Sequence, residues 1–315
     1  MSNTATIPLH AWLIMGIALF AVSSAGAVFE MIEGVAGLSK AAWRLQATSL
    51  VLLPGFIFQY AKAEDSLKSQ WRGSMHLLGA SGICLALHFG VWLMSLDRTT
   101  LTHSLLFVTA HPLVIIVGLW LLRRPATRMQ SIGALVGFVG AAFEVGGGGS
   151  ESVVSLYGDF LAFIGAVTVV GYLAIGRIVR GWMPLFLYAF PVTLVSAIVL
   201  TGWAIVAEDL TFNLDDMTGA FGWISASWLL YVCYLALGPG LLGHTGINAV
   251  LRWIPPLTIS MMLIMEPVIG SMIGWVLGVD TIPGIWTLIG GILMISGLAL
   301  VTLNSESEEA PQPSD

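Results

Sequence analysis

Residues 82–102 read GICLALHFGVWLMSLDRTTLT, and residues 238–258 read GPGLLGHTGINAVLRWIPPLT. The two stretches share Gly, His, Gly and a Leu-Thr pair at a constant offset of 156 residues, with His88 matched to His244. Shared leucines and glycines arise easily by chance in an apolar chain. The chain has only six histidines, however, and two of them occupy matched positions. The sequence therefore predicts an internal repeat.

The repeat continues beyond these stretches. Three further pairs match: Pro112 with Pro267 after a one-residue slip, Gly133 with Gly290, and Gly140 with Gly297. If each half contains five spans, the second half must begin on the opposite side of the membrane, because five is odd. The halves are then related by a pseudo-twofold axis in the membrane plane, an architecture typical of secondary transporters.

The composition makes lipid the solvent for most of the chain. Of its 315 residues, 57% are hydrophobic and only 10% are charged, and the mean hydropathy is +0.90. A soluble domain carries about 25% charged residues, and a spanning helix needs roughly 20 apolar ones. The chain therefore has room for about ten spans and no sizeable soluble domain. No basic patch indicates a nucleic-acid partner.

Charged residues, prolines and glycines interrupt the apolar sequence and divide the chain into ten apolar segments. We predict an all-α integral membrane protein with ten transmembrane helices, arranged as two inverted five-helix repeats at 1–149 and 150–303, followed by a disordered acidic tail at 304–315. Gly238-Pro239-Gly240 predicts a kink or break in the eighth helix. Gly146–Gly149 is interpreted as a linker between the halves. The predicted helices cover 8–29, 41–61, 75–96, 100–122, 130–149, 158–177, 184–207, 223–252, 257–279 and 284–303.

The distribution of the twelve Lys and Arg residues predicts the orientation. With the N-terminus in the cytoplasm, nine of them lie on or near the inner side, and only Lys40, Arg44 and Arg98 lie outside. We therefore expect both termini in the cytoplasm and the acidic loop around Asp215 outside. The plasma membrane or the cell inner membrane is the expected location.

The second half carries motifs of a known family. They are GHTGINAVLRWIPPLTIS at 243–260, Glu266-Pro267, Gly270, and Ile-Gly-Gly at 289–291 with Gly297. This pattern resembles the EamA-like branch of the drug/metabolite transporter superfamily. The resemblance implies two five-helix halves, cytoplasmic termini, peripheral fifth and tenth helices, and export or exchange of small organic solutes through a central cavity. The chain departs from the family at His111-Pro112, where a Glu-Pro would match the second half, and at Arg123-Arg124-Pro125, where many members have an acidic turn.

Ionisable side chains deep in a span are costly and so are candidate functional residues. At about 1.5 Å per residue, Glu266 lies roughly 14 Å and His111 roughly 15 Å from an end of its span, so both reach the midplane. His88 and His244 fall at a similar depth, where the twofold axis would bring all four together. Helical spacing adds two residues that share faces with the histidines and one from a polar stripe of the sixth helix. The predicted substrate cavity is formed by His88, Trp92, His111, Tyr172, His244, Asn248 and Glu266.

Each of these residues also has a structural interpretation. Glu266 could satisfy backbone donors or hold a neighbouring histidine, and His88 and His244 could bridge helices in a dry core. The glycine stripes Gly133-xxx-Gly137 and Gly270-xxx-Gly274-xxx-Gly278 favour close helix packing within the chain. In the peripheral helices such a stripe could instead form a homodimer contact.

The charges inside the membrane bear on the substrate. Arg44, near the outer start of the second span, is expected to pair with Glu30 or Glu33, or else to receive an anionic group from outside. No Lys or Arg is expected near the midplane, which disfavours phosphate-bearing substrates, since these need paired cations. Amino acids, nucleosides, other neutral metabolites and organic cations remain. An ionised Glu266 would favour a cation.

These features predict a secondary transporter, an exporter or exchanger that works by alternating access. No Walker motif indicates ATP as the driving force. An intramembrane enzyme is disfavoured because the chain lacks a nucleophile-and-base motif and a His-Glu-x-x-His metal site. We expect no enzyme activity, cofactor or metal, and as partners only a small solute and the lipid bilayer. Glu266 and His111 are predicted to couple transport to protons, with an uncoupled facilitator as the alternative.

Overall fold

The computed structural model describes residues 7–146, 155–279 and 282–304. Except for Gly146 and Asn304, the predicted linker at 146–149 and the predicted tail at 304–315 lie outside these residues. Within them the chain forms helices and no strand. This all-helical architecture confirms the predicted fold class.

Fifteen α-helices and one π-helical segment follow one another along the described residues. They are α1 Leu9–Ser23, α2 Ala25–Glu30, α3 Gly37–Lys62, α4 Asp65–Gly73, α5 Met75–Leu96, α6 Leu101–Val108, α7 His111–Leu121, α8 Arg128–Gly146, α9 Leu156–Arg180, α10 Leu185–Ala207, α11 Leu229–Leu235, the π segment Ala236–Thr245, α12 Gly246–Val250, α13 Pro256–Leu263, α14 Glu266–Leu277 and α15 Ile285–Leu303.

These helices form ten apolar rods. In the part of the chain that the structure describes, nine are long and apolar enough to cross a membrane, and Arg128–Phe143 is a shorter tenth. Four of the spans are built from more than one helix. The first combines α1 with α2, the fourth combines α6 with α7, the eighth runs from α11 through the π segment to α12, and the ninth combines α13 with α14. The observed bounds follow the predicted ones within a few residues, except that the eighth span begins at Leu229 after a short 3-10 turn at Gly222–Ile224. The division into two inverted repeats stays a prediction.

Successive spans run in opposite directions, so the connections alternate between two ends of the bundle. We call the end at which α1 begins the N-side. It carries the connections at 62–75, 122–128, 180–185 and 250–256. The other end is called the far side, and it carries the connections at 30–37, 96–101 and 207–229.

The fourth and ninth spans are broken near their middle. Helix α6 ends at Val108 and α7 begins at His111, while α13 ends at Leu263 and α14 begins at Glu266. In both cases a proline is the second residue of the new helix, where its missing N–H is no loss. Two half-helix N-termini, which carry the positive end of the helix dipole, therefore lie inside the bundle.

The predicted kink in the eighth span takes the form of the ten-residue π segment. Its glycines allow neighbouring helices to approach closely. A Cβ atom on Gly240 would lie 2.5 Å from Thr48 Oγ1, and one on Gly243 would lie 2.7 Å from Val22 Cγ1. Segments of π-helix occur frequently at functional sites, and this one carries His244.

The peripheral helices α8 and α15 pack backbone to backbone. A Cβ on Gly133 would lie 2.7 Å from Gly297 O, and one on Gly140 would lie 2.6 Å from Gly290 O. These glycines thus serve a contact within the chain. A homodimer contact through the same helices stays a prediction.

The short helix α4 between the second and third spans was not predicted from sequence. It lies on the N-side and buries none of its residues fully. Trp71 Nε1 donates a hydrogen bond of 2.9 Å to Leu187 O, which attaches α4 to the start of α10.

Candidate functional site: a small central cavity

A small cavity lies where the broken spans meet the second, third and eighth spans. Its volume is about 40 Å³, room for a few water molecules at most. It is lined by Val22, Ala25, Arg44, His88, Phe89, Trp92, Val108, Thr109, His111, Val169, His244, Ile247, Leu263 and Glu266. The lining thus combines an apolar and aromatic wall with five ionisable side chains.

Glu266 and His111 enter the cavity from the first residue of a half-helix, α14 and α7 respectively. His111 is 3% exposed, and its Nδ1 has no hydrogen-bond partner among the described residues. The N-terminal dipole of α14 favours a negative charge on Glu266. A proton on this carboxyl would therefore change the charge at the centre of the bundle.

Arg44 is the unexpected member of the site. Its side chain is 1% exposed, although it stands only seven residues into α3. Its guanidinium carbon lies 4.4 Å from the ring centroid of Phe89 and 5.8 Å from that of Phe29. Arg44 interacts electrostatically with Glu266, but no ion pair involves Arg44 in the described part of the chain. The expected pairing with Glu30 or Glu33 at a vestibule is therefore wrong.

His88 bridges two helices at the cavity wall. Its Nδ1 lies 2.9 Å from Gly165 O on α9. A carbonyl only accepts, so Nδ1 donates, and Nε2 of the neutral ring is left as an acceptor. The ring stacks on Trp92 at 6.4 Å between centroids with an interplanar angle of 14°. His88 thus combines a bridge between helices with a place on the cavity surface.

His244 joins the aromatic wall from the π segment. Its ring centroid lies 5.0 Å from that of Phe89 and 6.3 Å from that of His88. Its Nδ1 has no hydrogen-bond partner within the described residues. The two histidines of the matched sequence stretches therefore lie side by side, as the repeat suggested.

A hydrogen-bonded layer separates the cavity from the N-side. Tyr172, one turn beyond Val169 along α9, donates a hydrogen bond of 2.7 Å to Asn248 Oδ1. Arg180 then donates from Nε to Asn248 O at 2.9 Å and from another guanidinium nitrogen to Met183 O. Tyr172, Asn248 and Arg180 are all buried. We call these three residues the N-side layer.

The far side is closed by aromatic and capping contacts. Phe29 and Trp92 meet edge to face at 6.0 Å, and both are buried. Beyond them, the Glu208 carboxylate accepts hydrogen bonds from Leu38 N at 2.8 Å and Ser39 N at 2.9 Å. These contacts attach the start of α3 to the end of α10. Side-chain contacts therefore narrow the bundle on both sides of the cavity.

The structure brings most of the predicted site together. Trp92, His88, His111, His244 and Glu266 line the cavity, whereas Tyr172 and Asn248 lie next to it and bond to each other. Their roles as substrate contacts stay predictions. Arg44 and Phe89 also line the cavity, although neither was among the predicted site residues. Arg44 is a charged residue within the predicted span 41–61. It stands close to the start of that span, however, which predicts a place near the membrane surface and not in a central cavity.

The comparisons with known proteins support the fold and the family. Residues 9–145 match the model of the EamA-like transporter family. One solved structure, whose description reads only "Crystal structure of protein", is similar to this chain with a TM-score of 0.68 and 20% sequence identity. The alignment covers 93% of this chain and 96% of the chain in that structure. At that identity the likeness concerns the fold alone. No curated protein sequence matches the chain. Residues 9–145 thus match the EamA-like transporter family of the drug/metabolite transporter superfamily, the same family that the separate motifs at 243–297 resemble.

Proposed function

We propose that this chain is a secondary transporter that exports or exchanges a small organic metabolite by alternating access through the central cavity. The observation that carries the proposal is a cavity that holds Arg44, Glu266 and three imidazoles at the meeting point of two broken spans. Buried charges of this kind mark solute and ion pathways in membrane proteins. Discontinuous helices at the same depth are a recurring feature of transporter binding sites.

The small volume of the cavity favours a mechanism with a conformational change, rather than a pore that stays open. At about 40 Å³ it admits water but no metabolite, so solute binding belongs to a conformation in which one end has opened. The N-side layer is held by few side-chain hydrogen bonds. A hydrogen bond between membrane helices contributes about 0.6 kcal/mol on average. Opening and closing this end is therefore energetically accessible.

We propose that Glu266 couples transport to protons, with His111 as its partner across the cavity. Glu266 is partly exposed and lines the cavity, and the charge of Arg44 acts on it. A carboxyl that gains and loses a proton as the cavity alternates between faces would link solute movement to a pH gradient. In an uncoupled facilitator the cavity would be the same, but Glu266 would keep the same protonation state throughout the transport cycle.

Transport by purified protein in liposomes tests both parts. A panel of labelled metabolites is offered with and without an imposed pH gradient, and we expect accumulation only with the gradient. Glu266→Gln keeps the shape of the side chain but cannot titrate, so it should retain exchange and lose gradient-driven accumulation. Glu33→Gln, at an exposed position outside the cavity, is the matched control. Unchanged accumulation in Glu266→Gln would show that Glu266 is structural, and absence of transport for every solute would reject the transporter.

We propose that both termini face the cytoplasm of a plasma or inner membrane, which places the N-side inside. The support is the excess of Lys and Arg on this side. Cysteines introduced at positions 2 and 314 should both react only with a reagent that reaches the cytoplasm. Labelling from opposite sides would contradict the ten-span topology.

A further inference from the structure

Arg44 is a buried cation that forms no ion pair with any of the described residues. Its side chain is 1% exposed, and its Nε has no hydrogen-bond partner among the described residues. A buried charge is strongly destabilising unless it is paired and hydrogen-bonded. The faces of Phe89 and Phe29 compensate the charge only in part, because cation–π contacts are weaker than an ion pair. The guanidinium is therefore a site with unused hydrogen-bonding capacity.

Glu266 is the only acidic residue that lines the cavity within the described chain. The two charges interact electrostatically, but their N and O atoms do not come within 4.0 Å. Glu266 therefore balances the charge of Arg44 without using its donors. An anion that enters the cavity could do both.

We propose that Arg44 binds the carboxylate of the transported solute, and that Glu266 takes up one proton when this carboxylate replaces it as the counter-ion of Arg44. The inference rests on the proposed function and adds the substrate class, a small organic monocarboxylate. The planar guanidinium donates two parallel hydrogen bonds that match a carboxylate. The remainder of the solute would contact the aromatic wall formed by Phe89 and Trp92.

The charge of the cavity selects this class. No second Lys or Arg lines it among the described residues, so a phosphate dianion would lack the paired cations it needs. An organic cation would be repelled by Arg44. A monocarboxylate matches the single fixed positive charge once Glu266 is neutral.

The groups that face Glu266 across the cavity come from four elements. They are Arg44 of α3, His88 of α5, His111 of α7 and His244 of the π segment, while α1, α2 and α6 contribute the uncharged Val22, Ala25 and Val108. A proton on an imidazole would add a second cation beside Arg44, which Coulomb repulsion opposes. A proton on Glu266 instead removes a charge that the incoming carboxylate would otherwise meet as a like charge. Glu266 is therefore the group that takes up the proton.

The charge balance is simple. The solute brings one negative charge, and a proton from the same aqueous side neutralises Glu266, so the loaded cavity carries the same net charge as the empty one. The carboxylate and the proton then cross together. At equilibrium, a difference of one pH unit supports up to about tenfold accumulation of the carboxylate.

Calorimetric titration of the full-length protein in detergent tests the proposal. The ligands are acetate, benzoate and phenylacetate, each paired with its neutral amide, together with phenethylamine and phenylalanine. Titrations in buffers with different ionisation enthalpies count the protons taken up on binding. We expect a carboxylate to bind at least about tenfold more tightly than its amide and to take up nearly one proton in the range where Glu266 is ionised.

The variants separate the two residues. Arg44→Gln should weaken carboxylate binding at least about tenfold, whereas Arg44→Lys should weaken it less because the charge is kept. Glu266→Gln should bind the carboxylate with no proton uptake. Arg98→Gln removes an exposed arginine outside the cavity and should behave like the unmodified protein. If Arg44→Gln does not fold, Arg44→Lys and the proton count still decide.

Three results would overturn the inference while leaving the transporter intact. The first is an amide that binds as tightly as its acid. The second is carboxylate binding without proton uptake, with phenylalanine preferred, because Glu266 would then hold an ammonium group. The third is transport of neutral or cationic solutes with no carboxylate bound at millimolar concentration. Failure of the proposed function would differ, since no solute of any charge would then be transported.

Discussion

Gly297→Ala should separate two helices that touch through their backbones. In α15, a Cβ at this position would lie 2.6 Å from Gly137 N and closer still to Gly133 O. Ordinary van der Waals contact begins at 3.4 Å, so α8 and α15 must move apart by more than about 0.8 Å to restore it at both atoms. The atoms in the way are backbone, which no side-chain rotation can relieve. Overpacking of this kind costs about 1–3 kcal/mol, and we expect a value near the upper limit.

Gly291→Ala is the matched control in the same helix. Nothing lies within 4 Å of a Cβ at Gly291. Both substitutions gain the same helix propensity, up to about 1 kcal/mol, so this contribution cancels in the comparison. The difference in unfolding free energy between the two variants is then the steric cost alone, about 3 kcal/mol.

Equilibrium unfolding in mixed detergent micelles, followed by circular dichroism, measures this difference. None of the described side chains of α8 and α15 lines the central cavity, so the solute KM of the folded fraction should stay unchanged. Two variants of equal stability would show that α8 and α15 do not pack at the distance described here. A change in KM with unchanged stability would show that the peripheral pair acts on the site.

Two further predictions concern the N-side layer and the far-side loop. Tyr172→Phe removes the hydrogen bond to Asn248 and should weaken closure by about 0.6–1.7 kcal/mol, seen as faster labelling of a cysteine placed at Val169 in a cysteine-free chain; an unchanged labelling rate would contradict the closing role. The hydrogen bonds from Thr218 hold the pKa of Asp216 below its ordinary value of 3.8, so the carboxylate stabilises the folded loop above that value and the stabilisation is lost as the pH falls through the lowered pKa. Amide hydrogen exchange in the loop should show this loss, and Asp216→Asn should abolish the pH dependence.

The ten spans could be predicted from sequence because each is an apolar run long enough to cross a bilayer. Their breaks could not be predicted in the same way. A proline is the second residue of α7 and of α14, where the spans break. Pro54 and Pro191, in contrast, lie within the continuous helices α3 and α10. Proline alone therefore does not decide whether a span breaks, because neighbouring helices and side chains can satisfy the freed backbone groups.

Candidate site residues could be predicted where a position in the middle of a span is also a position at the centre of the helix bundle. Glu266 and His111 lie far from either end of their spans, and both line the cavity. Tyr172 and Asn248 were assigned to the same region, but their side chains bond to each other beside the cavity. Helical spacing gives the face of a residue on its own helix. It does not give the partner on the next helix.

The sequence by itself determined that the chain lies in a membrane, how many apolar spans it has, and that a carboxyl and three histidines stand deep within those spans. Apolar length and position along a span are local properties. Only the tertiary structure decided that Arg44 joins them. Its position seven residues into α3 predicts a location near the membrane surface, but the packing of α3 against the third, seventh and eighth spans places its guanidinium over Phe89 and in the cavity. The charge of a cavity is the sum of the charges on side chains from helices that are distant in sequence. Only the packing of those helices determines which side chains line the cavity.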